Sequence, residues 1–312
     1  IEVCRNTSEV GVILGTNCAV RNLQVLYFPY SGMQASAATG TCYIEDNVIS
    51  YNGDDGVDTD YATVYIRRNT IQQNGLTRNP AGGQGDGISA HQGSTTIAES
   101  NTIIDNERCG IGHHGNTNTI SRYNYVKGNY RNMQIYGLTT GTSGWAHVTD
   151  HNLVIVTSID DDPAFLTQGA GDTTFSWAIQ NNTAISRKSA FAVCSFSRGF
   201  VDFRANILSG TGTNGIAQYE TDPAKCTVLS DYNLVEMTNL YQTSFNPTNK
   251  GTNHDAKTTV LLTDPSNDDI TLQSGSPAKN ASIDLGYTRD YYGNAIPFGA
   301  APDIGAAERQ AA

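Results

Sequence analysis

"GDGISAHQGSTTIAESNTIIDN" occupies residues 85–106, and "RCGIGHHGNTNTISRYNYVKGN" at residues 108–129 repeats its pattern. Each copy has a short apolar stretch, a turn, a second short stretch, and an Asn that begins a third. That Asn recurs along the chain, mostly at intervals of 22 to 30 residues. Its positions are Asn22, Asn47, Asn69, Asn101, Asn124, Asn152, Asn182, Asn206 and Asn233. The period indicates a solenoid, in which each coil buries its apolar side chains against its neighbours.

The repeat unit contains about three strand-like stretches and no helical one, which excludes the helical repeats and the leucine-rich repeat. A parallel β-helix remains, with equivalent strands of successive coils hydrogen-bonded about 4.8 Å apart. We interpret the recurring Asn as structural. Asn tolerates the left-handed conformation at a tight bend, and stacked amides bond to one another along a ladder.

The coil pattern "DGI…NTI.DN…GI" resembles the right-handed parallel β-helix superfamily of pectate-lyase-like carbohydrate enzymes, over roughly residues 10–235. The resemblance implies an all-β fold, a single-stranded right-handed parallel β-helix of about ten coils. We assign residues 1–262 to this helix and residues 263–312 to a last strand and a C-terminal cap. The stretch from Asp268 to Glu308 resembles the closing segment of many secreted bacterial β-helix proteins, which packs over the last coil.

Residues 1–20 already have the pattern of a coil. We therefore expect either that an upstream cap has been lost or that a partner subunit covers this end, which would make the protein an oligomer. Solenoids need a cover at each end.

The composition restricts the binding partners and the cellular compartment that we expect for this protein. The net charge of −11 argues against a nucleic-acid partner, which would need a basic face. No apolar run is long enough to span a membrane. Six cysteines without a CxxC pair argue against structural zinc and fit a secreted protein, extracellular or periplasmic. Cys18 and Cys42 occupy nearly equivalent coil positions, where they either bridge or stack, and Cys194 and Cys226 form another possible pair.

The first strand of each coil is aligned on an apolar anchor: Met33, Val57, Ile88, Ile111, Met133, Phe165, Phe191 and Ile216. Side chains alternate along a strand, so the first and third neighbours of each anchor point outward. The first outward column contains Gln34, Asp58, Ser89, Gly112, Gln134 and Leu166. The second contains Ser36, Asp60, His91, His114, Tyr136 and Gln168. A third position, before the strand glycine, carries Asp55, Asp86, Cys109 and Arg131.

These columns predict an active site, because neighbouring coils bring titratable groups within hydrogen-bonding range. We predict the catalytic residues to be His91, His114, Tyr136, Asp60 and Arg131. We predict substrate contacts from Asp58, Ser89, Gln134, Arg108 and Gln168. The insert "GLTRNPAGGQG" at residues 75–85 is expected to form one wall of the groove. By parity His113 points into the core, whereas Arg67 and Arg68 are expected to be solvated.

The preferred activity is β-elimination on a uronic-acid-containing, and therefore anionic, polysaccharide. It needs a base for the C5 proton, an acid for the leaving oxygen and a cation for the carboxylate. A neutral His, a Tyr hydroxyl and Arg131 meet these needs. A related alternative is C5 epimerisation, because "GISAH" at residues 87–91 resembles the G-[FI]-D-P-H strand of alginate C5-epimerases. His91 takes the place of the family histidine, and Ser89 stands where the family has Asp.

A second alternative is hydrolysis by paired carboxylates. Asp55, Asp58 and Asp86 resemble the acidic strands of polygalacturonase-type hydrolases. Gly85 and Cys109 stand where that family has Asp and His. A third alternative is a non-catalytic β-helix that binds glycans or forms a surface fibre.

A metal ion is also compatible with these residues. Asp55, Asp58 and Asp86 would favour Ca²⁺, and Asp60, His91 and His114 another divalent metal.

Overall fold

The chain winds into a parallel β-helix with three strands in each coil. The structure, a computed structural model, describes residues 10–36, 40–75, 85–114, 117–137, 143–158, 162–169, 174–193, 198–218, 226–242 and 254–310. Within these ranges nine coils have all three strands and a tenth is partial. Equivalent strands pair in parallel, so three long sheets line the helix. The predicted all-β solenoid is confirmed.

The first sheet contains β1 (Val12–Ile13), β4 (Met33–Ala35), β7 (Val57–Thr59), β10 (Ile88–Ala90), β13 (Cys109–His114), β16 (Arg131–Gly137), β19 (Phe165–Gly169), β22 (Phe191–Val193), β25 (Asn214–Gln218) and β28 (Asn239–Tyr241). The second contains β2 (Ala19–Arg21), β5 (Thr41–Glu45), β8 (Thr63–Arg67), β11 (Thr95–Glu99), β14 (Asn118–Arg122), β17 (Ser143–Asp150), β20 (Thr174–Gln180), β23 (Arg198–Arg204) and β26 (Cys226–Asp231). The third contains β3 (Gln24–Leu26), β6 (Val48–Ser50), β9 (Thr70–Gln72), β12 (Thr102–Ile104), β15 (Tyr125–Lys127), β18 (Leu153–Val156), β21 (Thr183–Ser186), β24 (Ile207–Ser209), β27 (Leu234–Glu236) and β29 (Ala256–Lys257).

The register of the first sheet follows the apolar anchors. Met33 pairs with Val57, Val57 with Ile88, and Ile88 with Ile111, and the series continues to Ile216 without a shift. The anchors whose side chains the structure describes, from Met33 to Phe165 and Ile216, stack in the interior because one face of each strand must be buried. A slip of one residue would expose the whole set. The outward columns predicted from the anchors are therefore correct in register.

The Asn ladder lies inside the helix, between the second and third sheets. From Asn69 onward, each side-chain oxygen accepts hydrogen bonds from both the backbone N–H and the amide of the Asn one coil earlier, the first donor being Asn47. The prediction was wrong for Asn22, because Leu23 occupies the equivalent position and donates its N–H to Asn47. The left-handed residue is the one before each ladder Asn, for example Asp46, and Asn22 has that conformation. The ladder therefore uses Asn for its amide.

A second ladder runs five residues further along each coil and was not predicted. Asn52, Asn74, Asn106 and Asn129 repeat the same pair of hydrogen bonds from coil to coil. Its four members are buried. It fixes the bend that leads into the first sheet, and hence the start of β7, β10, β13 and β16.

Opposite charges alternate along the edge of the second sheet. Glu45 pairs in register with Arg67, Arg67 with Glu99, and Glu99 with Arg122. Arg67 forms ion pairs with both glutamates, at 3.7 and 2.7 Å. Arg67 was expected to be solvated; its side chain is 28% exposed and lies between the two glutamates. Arg68, by contrast, is half exposed and pairs with Asp46.

The C-terminal segment lies along the side of the helix. β30 (Leu262–Asp264) and β31 (Asp269–Leu272) form an antiparallel pair joined by a 3-10 turn at Pro265–Asn267. Apolar residues of this segment, including Ile270 and Ile304, pack on outward side chains of the third sheet such as Ile207. The segment thus covers the outer face of the third sheet from β15 to β29, whereas the family resemblance had implied a cover over the last coil. Among the described residues, the apolar contacts of this segment are with the third sheet, so the segment does not cover the outer face of the first sheet.

Two other expectations concern cysteines and membranes. Among the described residues, the thiols of Cys18 and Cys42 lie 3.6 Å apart and form no disulfide bond. Cys194 lies outside the described residues, as does the insert at residues 76–84. Within the described ranges, no helix has the length and apolar character that crossing a membrane requires.

A candidate active site on the outer face of the first sheet

Neighbouring coils of the first sheet bring the predicted titratable residues into one row. The rings of His91 and His114 stack with their centroids 4.9 Å apart. The ring of Tyr136 meets His114 edge-on at 6.0 Å. His114 pairs in register with Tyr136, and Tyr136 with Gln168. The row arises because each of these residues stands third after an inward-facing anchor.

Asp86 is the central hydrogen-bond acceptor of this row, although it is buried. Its two oxygens accept hydrogen bonds from the Cys109 N–H at 2.9 Å and from His114 Nε2 at 2.7 Å. The Arg108 guanidinium lies 4.0 Å away. Burial opposes ionisation, but the His114 hydrogen bond and the charges of His114 and Arg108 outweigh it and lower the pKa of Asp86. Asp86 is therefore an ionised carboxylate that orients His114.

A hydrogen-bond chain links His91 to the same carboxylate. The Ser89 hydroxyl donates to Asp86 at 3.3 Å, and His91 Nε2 lies 2.8 Å from the Ser89 oxygen. Because the serine hydrogen is used on Asp86, Nε2 of His91 is the donor to Ser89. The lone pair of the neutral ring is then on Nδ1. Burial, followed by the charge of His114, lowers the pKa of His91 to about 4, so the ring is neutral at pH 7.

The row is deeper than the sequence suggested. Ser89, Gln134 and His114 all point to the outer face but are almost completely buried. Gln134 bonds to Gln168 at 2.9 Å and accepts from the Cys109 thiol at 3.2 Å. These three residues therefore support the site from below. His91, whose side chain is 37% exposed, is the histidine of this row that faces solvent.

Asp60 stands at the edge of the row. Burial raises the pKa of Asp60, and the negative charge of Asp60 helps to raise the pKa of Asp58. Among the described contacts, none joins Asp60 to His91. The carboxylate nearest to His91 Nε2 is Asp58, at 3.8 Å.

A cluster of possible metal ligands lies beside the row and differs from the predicted sets. Asp55, Asp58 and His91 each offer an atom within 4.8 Å of the others. Asp86 is used by His114 and Cys109, so it is not part of the cluster. Among the described residues, one buried oxygen of Asp58 has no hydrogen-bond partner, while the other accepts from Gln34 at 2.9 Å. An unpaired buried carboxylate oxygen is costly, and a cation would satisfy it.

Both carboxyl groups of this cluster have raised pKa values, and a bound cation would favour their ionised forms. Burial raises the pKa of Asp58 to about 6. Burial and the charge of Asp86 raise the pKa of Asp55 well above its usual range. The oxygen and nitrogen donors fit a divalent cation, with Ca²⁺ favouring the carboxylates and a transition ion also recruiting the imidazole.

A polar cavity of about 320 Å³ opens at the Tyr136 end of the row. It is lined by Arg108, Arg131, Tyr130, Tyr136 and Gln168. Arg131 donates to Asp162 at 2.7 Å, so part of its charge is compensated. The Arg108 guanidinium lies 5.8 Å from the centre of the Tyr136 ring. Two guanidinium groups beside two phenols and an amide form a pocket suited to an anionic, hydroxyl-rich ligand.

Two contributors were missed from the sequence. Tyr130 lines the pocket, and its position directly before Arg131 was the available clue. Asp86 was assigned to a metal, and its role as the partner of His114 depends on a contact between coils 28 residues apart.

The chain belongs to the right-handed β-helix family, whose model, described as "Right handed beta helix region", matches residues 10–176. Among solved structures, the chain is similar to the pectate lyase Pel9A, with a TM-score of 0.54 and 14% sequence identity. That alignment covers 92% of this chain and 69% of the other. No curated protein matches the sequence. The confirmed fold is thus a right-handed parallel β-helix.

Proposed function

We propose that the protein is a secreted polysaccharide lyase that cleaves uronate-containing chains by β-elimination. The observation that carries this proposal is the arginine-lined pocket at one end of a row containing a neutral, solvent-facing histidine. An acidic protein needs such local cations to bind an anionic polymer. The structural similarity to a pectate lyase supports the same class of substrate.

The proposed roles follow from the position of each group. Arg108 and Arg131 receive the uronate carboxylate, which stabilises the negative charge that develops when C5 loses its proton. His91 is the proposed base, because its ring is neutral and the chain through Ser89 to Asp86 leaves Nδ1 unprotonated. Tyr136 is the proposed acid. The C4–oxygen bond breaks, a C4–C5 double bond forms, and the leaving oxygen takes the phenol proton.

The spacing is compatible with this division of labour. His91 and Tyr136 belong to coils two steps apart, about 10 Å along the helix. A pyranose ring with a hydrogen-bonded group on either side fits between them. His114 fills the gap below and is held by Asp86, so it positions its neighbours without needing to reach the sugar.

Hydrolysis by Asp55, Asp58 and Asp86 has less support, because Asp86 is buried and fully engaged with His114 and Cys109. Epimerisation shares the proton abstraction and differs in leaving the glycosidic bond intact. A product carrying a conjugated double bond distinguishes the lyase from both.

The acidic cluster is proposed to bind a divalent cation. Asp55 and Asp58 would hold Ca²⁺, which would supply a positive charge near the substrate. A transition ion would also take His91 as a ligand and remove it from the role of base. Loss of activity with a transition ion but not with Ca²⁺ would therefore support the assignment of His91 as the base.

The test is a panel of polyuronates, including polygalacturonate and alginate, assayed by the ultraviolet absorbance of the unsaturated product. His91→Ala and Tyr136→Phe are each expected to lower the rate by about 100-fold or more, since general acid and base groups contribute at least that much. His254→Ala and Tyr123→Phe, on other parts of the helix, are the matched controls and should keep the wild-type rate. Wild-type rates in both site variants would refute the proposal.

A further inference from the structure

Two cysteines lie side by side in the first two coils. Ala19 pairs in register with Tyr43, which places Cys18 directly beside Cys42 in neighbouring strands. Their sulfurs are 3.6 Å apart. Both thiols also donate to the same acceptor, the carbonyl oxygen of Gly15, each at 3.1 Å. The two sulfurs therefore converge on one acceptor, the carbonyl oxygen of the exposed Gly15.

The geometry of neighbouring parallel strands permits a disulfide here. Paired strands lie about 4.8 Å apart, which is within the range of Cα separations that a disulfide spans. The sulfurs must approach by about 1.5 Å to reach bonding distance, a movement available to side-chain rotation. Cys42 is buried, whereas Cys18 is partly exposed. An external reagent would therefore reach Cys18 first.

We propose that Cys18 and Cys42 form a disulfide bond that staples the first coil to the second. In this reaction the Cys18 thiolate attacks the disulfide of an oxidant, such as oxidised glutathione or a disulfide-exchange catalyst, and one thiolate leaves. The Cys42 thiolate then attacks the Cys18 sulfur and releases the second thiolate. The two thiols lose two protons and two electrons, and the oxidant is reduced to two thiols. The proposal is independent of the catalytic function.

The staple acts where the described solenoid has least support. The first described coil pairs only with the second within these ranges, and Ile13 at its edge is 68% exposed. Burial raises the pKa of Cys18, so oxidation is expected to need a catalyst or mildly alkaline pH. Closing a loop between residues 24 apart limits the freedom of the unfolded first coil.

The experiment incubates the full chain with oxidised glutathione and maps the products by mass spectrometry. We expect a peptide pair linked through Cys18 and Cys42, and a melting temperature about 5 °C above that of the reduced protein. Cys18→Ser and Cys42→Ser should each abolish both the linked peptide and the difference in melting temperature. Cys109→Ser, which removes a buried thiol on the first sheet, is the matched control and should retain both.

Two outcomes would overturn the proposal. One is that both thiols are still labelled by a maleimide after oxidation and unfolding. The other is a link from either cysteine to Cys4, Cys194 or Cys226. A linked pair without any rise in melting temperature would refute the stapling role while leaving the bond itself in place.

Discussion

Asp86→Asn removes the charge at the centre of the candidate site while conserving the shape of the side chain. In the wild type the carboxylate accepts hydrogen bonds from the Cys109 N–H and from His114 Nε2. The amide oxygen of Asn can keep the first. The second is lost, because the amide NH₂ and the Nε2–H of His114 are both donors.

The expected cost follows from these contacts. A hydrogen bond to a charged group contributes about 1.5–3 kcal/mol, and a buried donor left without an acceptor costs a similar amount. The variant no longer buries an anion, which offsets part of the loss. We therefore expect the free energy of unfolding to fall by about 2–3 kcal/mol.

Urea unfolding followed by tryptophan fluorescence measures this change. Asp105→Asn, at an exposed carboxylate in the bend after β12, is the control and should alter stability by less than about 0.5 kcal/mol. A double-mutant cycle with His114→Gln isolates the pair, and its coupling energy should exceed about 1 kcal/mol. If Asp86→Asn is as stable as the wild type, or if the cycle shows no coupling, the inference that Asp86 holds His114 is wrong.

Three further predictions follow from other contacts. Asn101→Ala deletes an amide that accepts two and donates two hydrogen bonds, and should lower the free energy of unfolding by about 3 kcal/mol in urea. The control is Asn118→Ala, which removes a half-buried amide that accepts one hydrogen bond from the Ala146 N–H, and should cost under about 1 kcal/mol. His147 is buried and burial lowers its pKa to about 3. In the unfolded chain this histidine has a normal pKa, so on acidification the unfolded chain binds the proton first. The contribution of His147 to the free energy of unfolding is therefore fully present above about pH 6.5 and falls by about 4 kcal/mol towards pH 3. His147→Gln should reduce this dependence of stability on pH. Zn²⁺ should inhibit the proposed lyase because it binds His91, whereas Ca²⁺ should not inhibit it. In titration calorimetry, Asp58→Asn should bind both ions more weakly than the wild type. Equal inhibition by the two ions would contradict this prediction.

The predictions that succeeded from sequence concern the period and the parity of the strands. The apolar anchors from Met33 to Ile216 pair as predicted, because burying one face of every strand leaves a single register. The same parity placed His91, His114 and Tyr136 in one row. The ladder Asn was correct from Asn47 onward for a similar reason, since each amide needs its copy one coil away.

The predictions that failed concern how deeply side chains are buried and which groups they contact. Parity states which face a side chain occupies, but it does not state how deeply neighbouring coils cover it, so the burial of Ser89 and Gln134 was missed. The alternating charges at Glu45 and Arg67 are visible in the sequence only when the coils are already aligned. The position of the C-terminal segment depends on which sheet has apolar residues on its outer face, as Ile207 does in the third sheet.

The sequence alone determined that this protein is a β-helix and which residues share its first sheet, because a repeat of short strands imposes the same inward and outward alternation on every coil. Only the tertiary structure decided what those residues do to one another. The bond from Asp86 to His114, the chain through Ser89 to His91 and the separate acidic cluster all depend on distances between coils. Those distances are set by side-chain rotamers and by packing, which the spacing of residues along the chain does not specify.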